Sequence, residues 1–273
     1  MLGERPDEVR LEAHGLVGDR AYAVLDTETQ KIASAKHPRL WSGLLRFSAS
    51  FLGRPDIGAG VRVQLADGTA LRSDEPHFDD RLSRAIGRSV RLIAAPEPGA
   101  SYEDEWPDVE GLAPEELIAS TQTSTSEDGR PVSTLPVGLL APGTFQDVAP
   151  VTLLTTASLR AAARLQPNSC WDARRFRPNL LVDVEGHGFV ENDWVGRHLR
   201  IGGVVFDVSA PTPRCVMTTL AQEELPIDRE ILRTVARHNR IDVGGTGRYA
   251  CLGVYASVIE PGSIRAGDPV VVL

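Results

Sequence analysis

The first third of the chain contains short runs in which apolar and polar residues alternate, which is the pattern of half-buried β-strands. Runs of this kind predict strands over residues 16–26, 31–35, 61–65 and 89–93. The tripeptide Ala66-Asp67-Gly68 follows the third run and is typical of a tight turn. Together these strands predict an N-terminal β subdomain over residues 1–95.

Residues 96–143 differ from their surroundings because Pro, Gly, Ser, Thr and acidic residues dominate, most of all at positions 120–129. This composition predicts a flexible linker or loop. A loop of that length is usually either disordered or part of a binding site. The sequence leaves both alternatives open.

Regular patterns return after residue 144. Apolar runs predict strands over residues 151–155, 179–184, 252–259 and 269–273. The runs 199–201 and 204–206 flank Gly202-Gly203, which is the spacing of a two-residue β-hairpin. One helix is expected from a cap at Thr156 to Leu165, and another from a cap at Asp228 to His238. We therefore expect a mainly β fold with helical decoration (α+β), in which a barrel-like domain at 144–273 packs with the N-terminal subdomain.

The 273-residue chain has a formal net charge of −8, which argues against a surface built to hold nucleic acid, because that task needs excess Lys and Arg. No apolar run approaches the roughly 20 residues that a membrane span requires. The first residues lack the basic and then apolar pattern of a secretory signal. We therefore expect a cytoplasmic protein with no nucleic-acid and no membrane partner.

The sequence has three cysteines, Cys170, Cys215 and Cys251, with no C-x-x-C pair and no histidine at the spacing of a zinc ligand. Cys215 is the most informative of them, since it directly follows Arg214 after a proline-rich stretch. A neighbouring positive charge lowers the pKa of a thiol and favours the thiolate, the form that attacks electrophiles or binds soft metals. The alternative is that Cys215 is an inert residue between a loop and a strand.

Three arginines, Arg174, Arg175 and Arg177, precede the strand predicted at 179–184. The planar guanidinium group suits phosphates and the polar edges of heterocycles, and Asn179 offers both a donor and an acceptor. The alternative is a solvated loop held by salt bridges. In the same way, the turn Gly18-Asp19-Arg20 is interpreted either as part of a binding site or as a structural ion pair.

Several motifs occur together in a characteristic order: Arg-Phe-Arg-Pro-Asn at 175–179, Glu-Asn-Asp-Trp at 191–194, Leu-Arg-Ile-Gly at 199–202, and Arg-Cys at 214–215 followed by Thr-Thr at 218–219. In this order they resemble the MOSC domain, named for the C-terminal domain of molybdenum-cofactor sulfurase. Residues 261–270 are similar to the closing segment of that family. The turn at 18–20, with Pro-Arg-Leu at 38–40, is similar to the β-barrel domain that often precedes it.

The resemblance implies a β-barrel core that binds a molybdenum cofactor, molybdopterin, with the thiolate of Cys215 as the ligand of the metal. By the same matching, Arg177, Asn179 and Asp147 are expected to contact the pterin. Arg20 would face the phosphate of the cofactor, and Arg214 its pterin or pyrophosphate-like end.

Members of the family with an assigned activity resemble the mitochondrial amidoxime-reducing component, which reduces N-hydroxylated compounds. The resemblance therefore implies an oxidoreductase in which molybdenum accepts the oxygen atom of an N–OH group. Some bacterial relatives carry a C-terminal iron–sulfur domain with four cysteines, which this sequence does not contain. Electrons are thus expected from a separate ferredoxin- or flavin-type reductase. The small-molecule substrate would lie over the metal, bordered by residues 96–143.

Two other functions stay open. Cys215 could carry a persulfide delivered by a separate desulfurase, or the chain could be a non-catalytic, degenerate cofactor-binding module. A departure from the family motivates the second alternative, because relatives carry a Lys-Ser pair just before the stretch that matches residues 2–5, and this sequence has none before Met1. The other explanation of that difference is that Met1 is an internal methionine of a longer chain.

Overall fold

The computed structural model describes residues 1–55, 59–139 and 141–273. Within these ranges the strands are β1 (Glu8–Glu12), β2 (Gly15–Leu16), β3 (Ala23–Asp26), β4 (Ser48–Phe51), β5 (Val61–Gln64), β6 (Ala70–Arg72), β7 (Val90–Ile93), β8 (Ser101–Glu105), β9 (Gln122–Thr125), β10 (Pro131–Pro136), β11 (Val151–Thr155), β12 (Leu180–Val182), β13 (His198–Ile201), β14 (Val204–Pro213), β15 (Arg240–Asp242), β16 (Arg248–Glu260), β17 (Gly262–Arg265) and β18 (Val270–Val272). The α-helices are α1 (Pro38–Trp41), α2 (Phe78–Ile86), α3 (Glu115–Thr121), α4 (Thr156–Leu165) and α5 (Glu230–His238). Short 3-10 helices cover Ser42–Arg46, Ala173–Phe176, Val190–Trp194 and Val216–Thr219.

The largest sheet lies in the C-terminal half and has the strand order β12-β11-β16-β14-β13-β18, with β15 added alongside β16. β11 and β12 are parallel, whereas the other neighbouring pairs are antiparallel. The pairing of β14 with β16 shifts register at three places, and bulges of this kind bend and twist a strand. The sheet is therefore open and curled, a half-barrel, which confirms the predicted mainly β fold class.

The core of the C-terminal half includes a strand from the beginning of the chain. Leu153, Phe206 and Val254 of the large sheet are fully buried there. β1 adds Leu11, which is also fully buried, because β1 pairs antiparallel with β17. The boundaries predicted at residues 95 and 143 stay predictions, but residues 8–12 belong by their packing to the C-terminal core.

A separate core holds the N-terminal part together. The strands β4, β5 and β6 form an antiparallel sheet, and α2 packs beside them. Val63, Leu71 and Leu82 are almost completely buried in this cluster. Val63 belongs to the run at 61–65 from which the sequence predicted an N-terminal β subdomain, whereas the helix that carries Leu82 was not predicted.

The segment at 96–143 was predicted as a flexible linker or loop, and its secondary structure differs from that prediction. It contains α3 and the antiparallel sheet β8-β10-β9. Its polar composition hid these strands because several polar side chains are buried through mutual pairing. Glu105 is 1% exposed and accepts a 3.0 Å hydrogen bond from Arg130, while the indole of Trp106 donates to Ser133.

Smaller differences lie at the ends of elements. The strand predicted over 16–26 is two strands, β2 and β3, because Gly18 (φ +88°) and Arg20 (φ 49°) turn the chain between them. Residues 31–35 form only isolated bridges at Ile32. The cap of α4 is Thr155, whose hydroxyl accepts from the Ser158 N–H, and not Thr156 as predicted.

The predicted hairpin is confirmed, with Ile201 directly opposite Val204 across Gly202-Gly203. α5 begins at Glu230, two residues after its predicted cap, although the Asp228 carboxylate does accept from the Glu230 N–H. Among the residues described, no helix has both the length and the apolar character needed to cross a membrane.

Candidate functional site

The thiol of Cys215 lies at the point where the long central strand β14 ends and the 3-10 helix Val216–Thr219 begins. The Arg214 N–H still donates to Ala250 O of β16 at 2.8 Å, so the backbone just before the cysteine is fixed by the sheet. The Thr218 hydroxyl donates to Cys215 O at 3.1 Å, which fixes the backbone just after it. The side chain of Cys215 is thus held, partly buried, by structure on both sides.

A group of charged side chains from distant segments surrounds this thiol. Arg20 Nη1 lies 3.0 Å from Asp147 Oδ1, and Lys36 Nζ lies 3.1 Å from Asp147 Oδ2. Burial alone would raise the pKa of Asp147, but Lys36 and then Arg20 hold it well below its ordinary range. Lys36 and Asp147 also act electrostatically on the Cys215 thiol, which places all four groups in one site.

Arg177 and Asn179 join the same site by different contacts. Arg177 adopts a left-handed backbone (φ 51°) at the end of a 3-10 helix, and its Nη1 donates to Met1 O at 3.1 Å. Burial and the nearby positive charge of Arg20 lower the pKa of Arg177. The two guanidinium groups are therefore close enough to repel each other, and a bound anion would relieve this repulsion.

Asn179 positions the turn that carries Arg20. Its Oδ1 accepts from Thr152 N at 2.9 Å, and its Nδ2 donates to Asp19 Oδ2 at 2.9 Å. Gln146 donates to the same Asp19 oxygen at 3.0 Å. The turn at 18–20 is thus docked onto the C-terminal half, and both the oxygen and the nitrogen of the Asn179 amide form hydrogen bonds.

The Arg214 side chain is fixed by hydrogen bonds to backbone carbonyl groups, and one of its nitrogen atoms has no partner among the described residues. Its Nε donates to Leu252 O at 2.6 Å and its Nη1 to Phe176 O at 3.0 Å, with the guanidinium 5.6 Å from the centre of the Phe176 ring. Its Nη2 is buried without a hydrogen-bond partner among the described residues. A buried donor left unpaired costs about 1–3 kcal/mol, so this atom is suited to an acceptor on a ligand.

The prediction that Cys215 is ionised beside Arg214 is wrong for the protein on its own. Burial, with a further contribution from the negative charge of Asp104, raises the pKa of the thiol to about 11, against the opposing effect of Lys36. The Arg214 guanidinium is directed at the carbonyl groups of Leu252 and Phe176. The raised pKa therefore favours the protonated thiol in the ligand-free protein.

Sequence reasoning missed Lys36, Tyr102 and Asp104. Lys36 Nζ donates to Tyr102 OH at 3.0 Å, lies 4.4 Å from the centre of that ring and lies 3.8 Å from Asp104 Oδ2. Burial raises the pKa of Asp104 to about 6, which Lys36 only partly offsets. Lys36 lies two residues before the Pro-Arg-Leu motif at 38–40, a signal that could have drawn attention to it.

The other two arginines of the predicted cluster lie outside the site. Arg174 forms surface ion pairs with Asp172, Glu223 and Glu224. Arg175 is 1% exposed and donates only to backbone carbonyl groups, which include Thr218 O and Leu220 O. It therefore stabilises the turn after Cys215, whereas Arg177 alone of the three reaches the charged cluster.

The site combines a soft sulfur ligand with four cationic groups, Arg20, Lys36, Arg177 and Arg214, and carboxylates that only partly compensate them. Such a site can bind an anionic group through guanidinium and ammonium donors, and a soft metal through sulfur. Every residue that was expected from the sequence to contact a cofactor lies in or beside this site.

Residues 142–271 match the family model of the MOSC domain. Over 130 residues the chain is 34% identical to mitochondrial amidoxime reducing component 2 of Bos taurus, a match that covers 46% of this chain and 38% of that protein. It is 30% identical over 137 residues to mitochondrial amidoxime-reducing component 1 of Homo sapiens, covering 47% of this chain and 38% of that protein. The chain therefore matches well under half the length of these curated relatives.

Solved structures also resemble part of the chain. The crystal structure of YiiM from Escherichia coli covers 46% of this chain and 54% of its own, with 21% sequence identity and a TM-score of 0.31. The crystal structure of YiiM from Geobacillus stearothermophilus covers the same shares, with 19% identity and a TM-score of 0.31.

Proposed function

Since residues 142–271 match the family model of the MOSC domain, we propose that this chain binds a molybdenum cofactor through the sulfur of Cys215 and reduces N-hydroxylated small molecules. The observation that carries the proposal is the convergence of Arg20, Lys36 and Arg177 on the surroundings of one cysteine thiol. The names of the curated relatives, which are amidoxime reducing components, support the substrate class.

The residues present fit such a cofactor. A molybdopterin group carries a phosphate and a polar heterocycle, so it needs cationic donors at one end and amide or guanidinium donors along its edge. Arg20 and Arg177 would hold the anionic end, where their mutual repulsion is relieved. The unpaired Arg214 Nη2 would donate to an acceptor on the pterin. Asn179 would act by positioning the turn of Arg20, because its amide is already engaged.

The thiol chemistry of Cys215 follows from the same geometry. A metal ligand must be deprotonated, so binding would release the proton that burial keeps on this sulfur at neutral pH. Lys36 favours the resulting negative charge, since its ammonium is the nearby cation that opposes the raised pKa of the thiol. The chain thus contributes one soft ligand and a cation that stabilises it.

The proposed reaction removes the oxygen of an N–OH group. Cleaving the N–O bond to give N–H and water consumes two electrons and two protons. The cofactor, held by Cys215, Arg20 and Arg177, would supply the oxygen-atom chemistry, and a separate electron-transfer protein would supply the electrons. The chain's own residues would hold the cofactor, exclude water around the buried thiol and provide proton-carrying groups such as Asp104, whose pKa of about 6 lies close to neutrality. The cytoplasmic location stays a prediction.

The direct test is metal analysis of the protein purified from a host that makes the cofactor. We expect about one molybdenum per chain in the native protein, near zero in Cys215→Ala, and the native amount in Cys170→Ala, since Cys170 is exposed and far along the chain. Equal molybdenum in the native protein and Cys215→Ala would disprove the assignment. Reduction of an aryl amidoxime by the loaded protein, with viologen as donor, tests the activity.

A persulfide on Cys215 is the alternative function. The raised pKa of this thiol bears equally on both functions, because metal binding and sulfur transfer each need the thiolate. A mass gain of one sulfur on Cys215, reversible by reductant and found without molybdenum, would favour that alternative instead.

A further inference from the structure

A row of arginines lies on the outer face of α5. Arg229 precedes the first turn, and Arg233 and Arg237 follow at intervals of four residues, so the three side chains lie on one face of the helix. Arg229 and Arg237 are exposed, and the side chain of Arg233 is 43% exposed. The opposite face is buried in the core, as Ile231, Leu232 and Val235 show. We call this row the α5 arginine face.

The positive charge continues beyond the helix. Arg240 begins β15 and Arg248 begins β16, and both are exposed. The guanidinium of Arg248 donates to Arg240 O at 2.6 Å, which holds the two residues side by side. Within the described part of the chain, Arg229, Arg237, Arg240 and Arg248 form no ion pair, whereas Arg233 pairs with Glu230. On a chain with a net charge of −8 this is a localised cationic surface.

This surface is linked directly to the turn that carries Cys215. α5 packs against the 3-10 helix Val216–Thr219, and the Asp228 N–H donates to Thr219 O at 2.9 Å. A 3-10 helix rises about 2 Å per residue, so this helix spans roughly 8 Å between Cys215 and the residue that binds the start of α5. A protein seated on the α5 arginine face would therefore be separated from the site by little more than one helix.

An exposed apolar side chain lies at the edge of the same face. Ile227 is 65% exposed and lies two residues before Arg229. With Pro226 and Cys170 it lines a surface cavity of about 440 Å³, whose lining also includes the acidic residues Asp228 and Glu230. Interfaces between proteins commonly combine apolar residues with arginine, so an exposed isoleucine beside a row of arginines is typical of a docking surface.

We propose that the α5 arginine face, with Ile227 at its edge, is the docking surface for a small acidic electron-transfer protein that supplies the electrons of the reaction. The proposal rests on the proposed function, because only a reductase needs such a donor. Charge complementarity argues for the acidic class of partner: the rest of the surface repels it, and the arginines attract and orient it. The attraction between exposed charges must then weaken as salt is added.

The test compares two triple variants with the same change of charge. Arg229→Gln/Arg233→Gln/Arg237→Gln removes the α5 arginine face. Arg46→Gln/Arg54→Gln/Arg62→Gln removes three exposed arginines of the N-terminal part and is the matched control. Each protein, loaded with cofactor, is assayed for reduction of an aryl amidoxime with a plant-type [2Fe–2S] ferredoxin, which is acidic, and separately with reduced methyl viologen, which needs no docking surface. Binding of the ferredoxin is measured at low and at physiological salt.

We expect the α5 variant to lose about tenfold in ferredoxin-driven rate and in ferredoxin affinity at low salt, with its viologen-driven rate unchanged and the control variant unaffected. An unchanged ferredoxin-driven rate, an equal loss in the control variant, or no binding of ferredoxin to the native protein would overturn the proposal. The proposed function fails separately, if the native protein has no viologen-driven turnover. In that case the binding comparison tests only where an acidic protein docks: loss of binding in the α5 variant but not in the control would place the binding on this face, without a role in electron supply.

Discussion

Lys36 and Asp147 form an ion pair of 3.1 Å that joins the two halves of the chain beside the Cys215 thiol. Lys36 lies just before α1 in the N-terminal part, and Asp147 lies just before β11, which pairs with β12 and β16 in the large sheet. Because the Lys36 side chain is only 12% exposed, the pair is shielded from water on one side. The charged site is thus assembled between segments that are more than a hundred residues apart in the sequence.

Replacing Lys36 with Met should weaken both folding and cofactor retention. The change leaves Asp147 with Arg20 as its remaining cation, and leaves a Cys215 thiolate without the ammonium that favours it. We expect the free energy of unfolding to fall by about 2 kcal/mol. The loss is moderate because a third of the Asp147 side chain is exposed. We also expect a clear fall in molybdenum per chain. Urea unfolding and metal analysis measure the two effects.

Lys31→Met is the matched control for this prediction, since Lys31 pairs with Glu103 at a more exposed position. It should leave the molybdenum content unchanged. A Lys36→Met protein that keeps its full metal content would exclude a role of Lys36 in the site.

Asp104 should make the stability of the cofactor-free protein depend on pH. Its pKa is raised to about 6 in the folded protein, from an ordinary value of 3.8. Below both values the carboxyl is protonated in the folded and the unfolded chain, so it has no effect. As the pH rises from about 4 to about 6 the unfolded chain ionises first, and the folded state loses stability relative to it. Each tenfold change in proton affinity is worth about 1.4 kcal/mol, so the loss approaches 3 kcal/mol above pH 6.

The substitution Asp104→Asn removes this pH effect. The variant should be more stable than the native protein at pH 8 and similar to it at pH 4, as followed by urea unfolding at both values. Asp108→Asn, at an exposed position of the same segment, should change stability by less than about 0.5 kcal/mol at either pH. A difference between native protein and Asp104→Asn that does not grow with pH would contradict the raised pKa.

Local patterns predicted much of the fold, as the hairpin around Gly202-Gly203 illustrates. There the turn and the alternation of buried residues lie within a few positions of each other, so neighbouring residues determine the structure. Cys215 and Arg177 were singled out from their own segments, as a cysteine directly after an arginine and as part of an arginine cluster, whereas Asp147 and the expected cofactor came from the family resemblance. The structure brings them together, and their roles toward a cofactor stay proposals.

What the sequence did not reveal depends on contacts between distant segments. Lys36 and Asp104 are charged residues in polar surroundings, and their burial follows from pairing with each other and with Asp147. The same cause hid β8, which carries Glu103, Asp104 and Glu105 in succession and therefore reads as a loop. The raised pKa of Cys215 was missed because Arg214, its neighbour in sequence, directs its guanidinium at backbone carbonyl groups.

The thiol of Cys215 should react slowly in the cofactor-free protein. Burial raises its pKa to about 11, against an ordinary value of 9, which lowers its thiolate fraction at neutral pH about a hundredfold. Cys170 is exposed and serves as the control in the same molecule. Alkylation with iodoacetamide, followed by peptide mass spectrometry, should label Cys170 within minutes and Cys215 far more slowly. Equal labelling rates would contradict the raised pKa of Cys215.

Gly253 controls the position of Arg214 and should not tolerate a side chain. It has φ +84°, its N–H donates to the buried Glu191 carboxylate at 3.0 Å, and a Cβ atom there would lie 2.6 Å from Leu153 O and 2.9 Å from Arg214 Nη2. Arg214 could shift, but the Leu153 carbonyl belongs to β11 and cannot. We expect Gly253→Ala to lower the free energy of unfolding by roughly 3 kcal/mol and to reduce molybdenum retention, because Arg214 adjoins Cys215.

Gly244→Ala separates steric crowding from backbone strain. Gly244 also has a positive φ (+60°), but a Cβ atom there would have no neighbour within 4 Å. This control should lose only about 1 kcal/mol, the ordinary cost of a left-handed conformation, and should keep its molybdenum. If thermal and urea unfolding give equal losses for the two variants, the close approach of Gly253 to Leu153 and Arg214 does not contribute to stability. A Gly253→Ala protein with full molybdenum content would show in addition that the position of Arg214 does not matter for the metal.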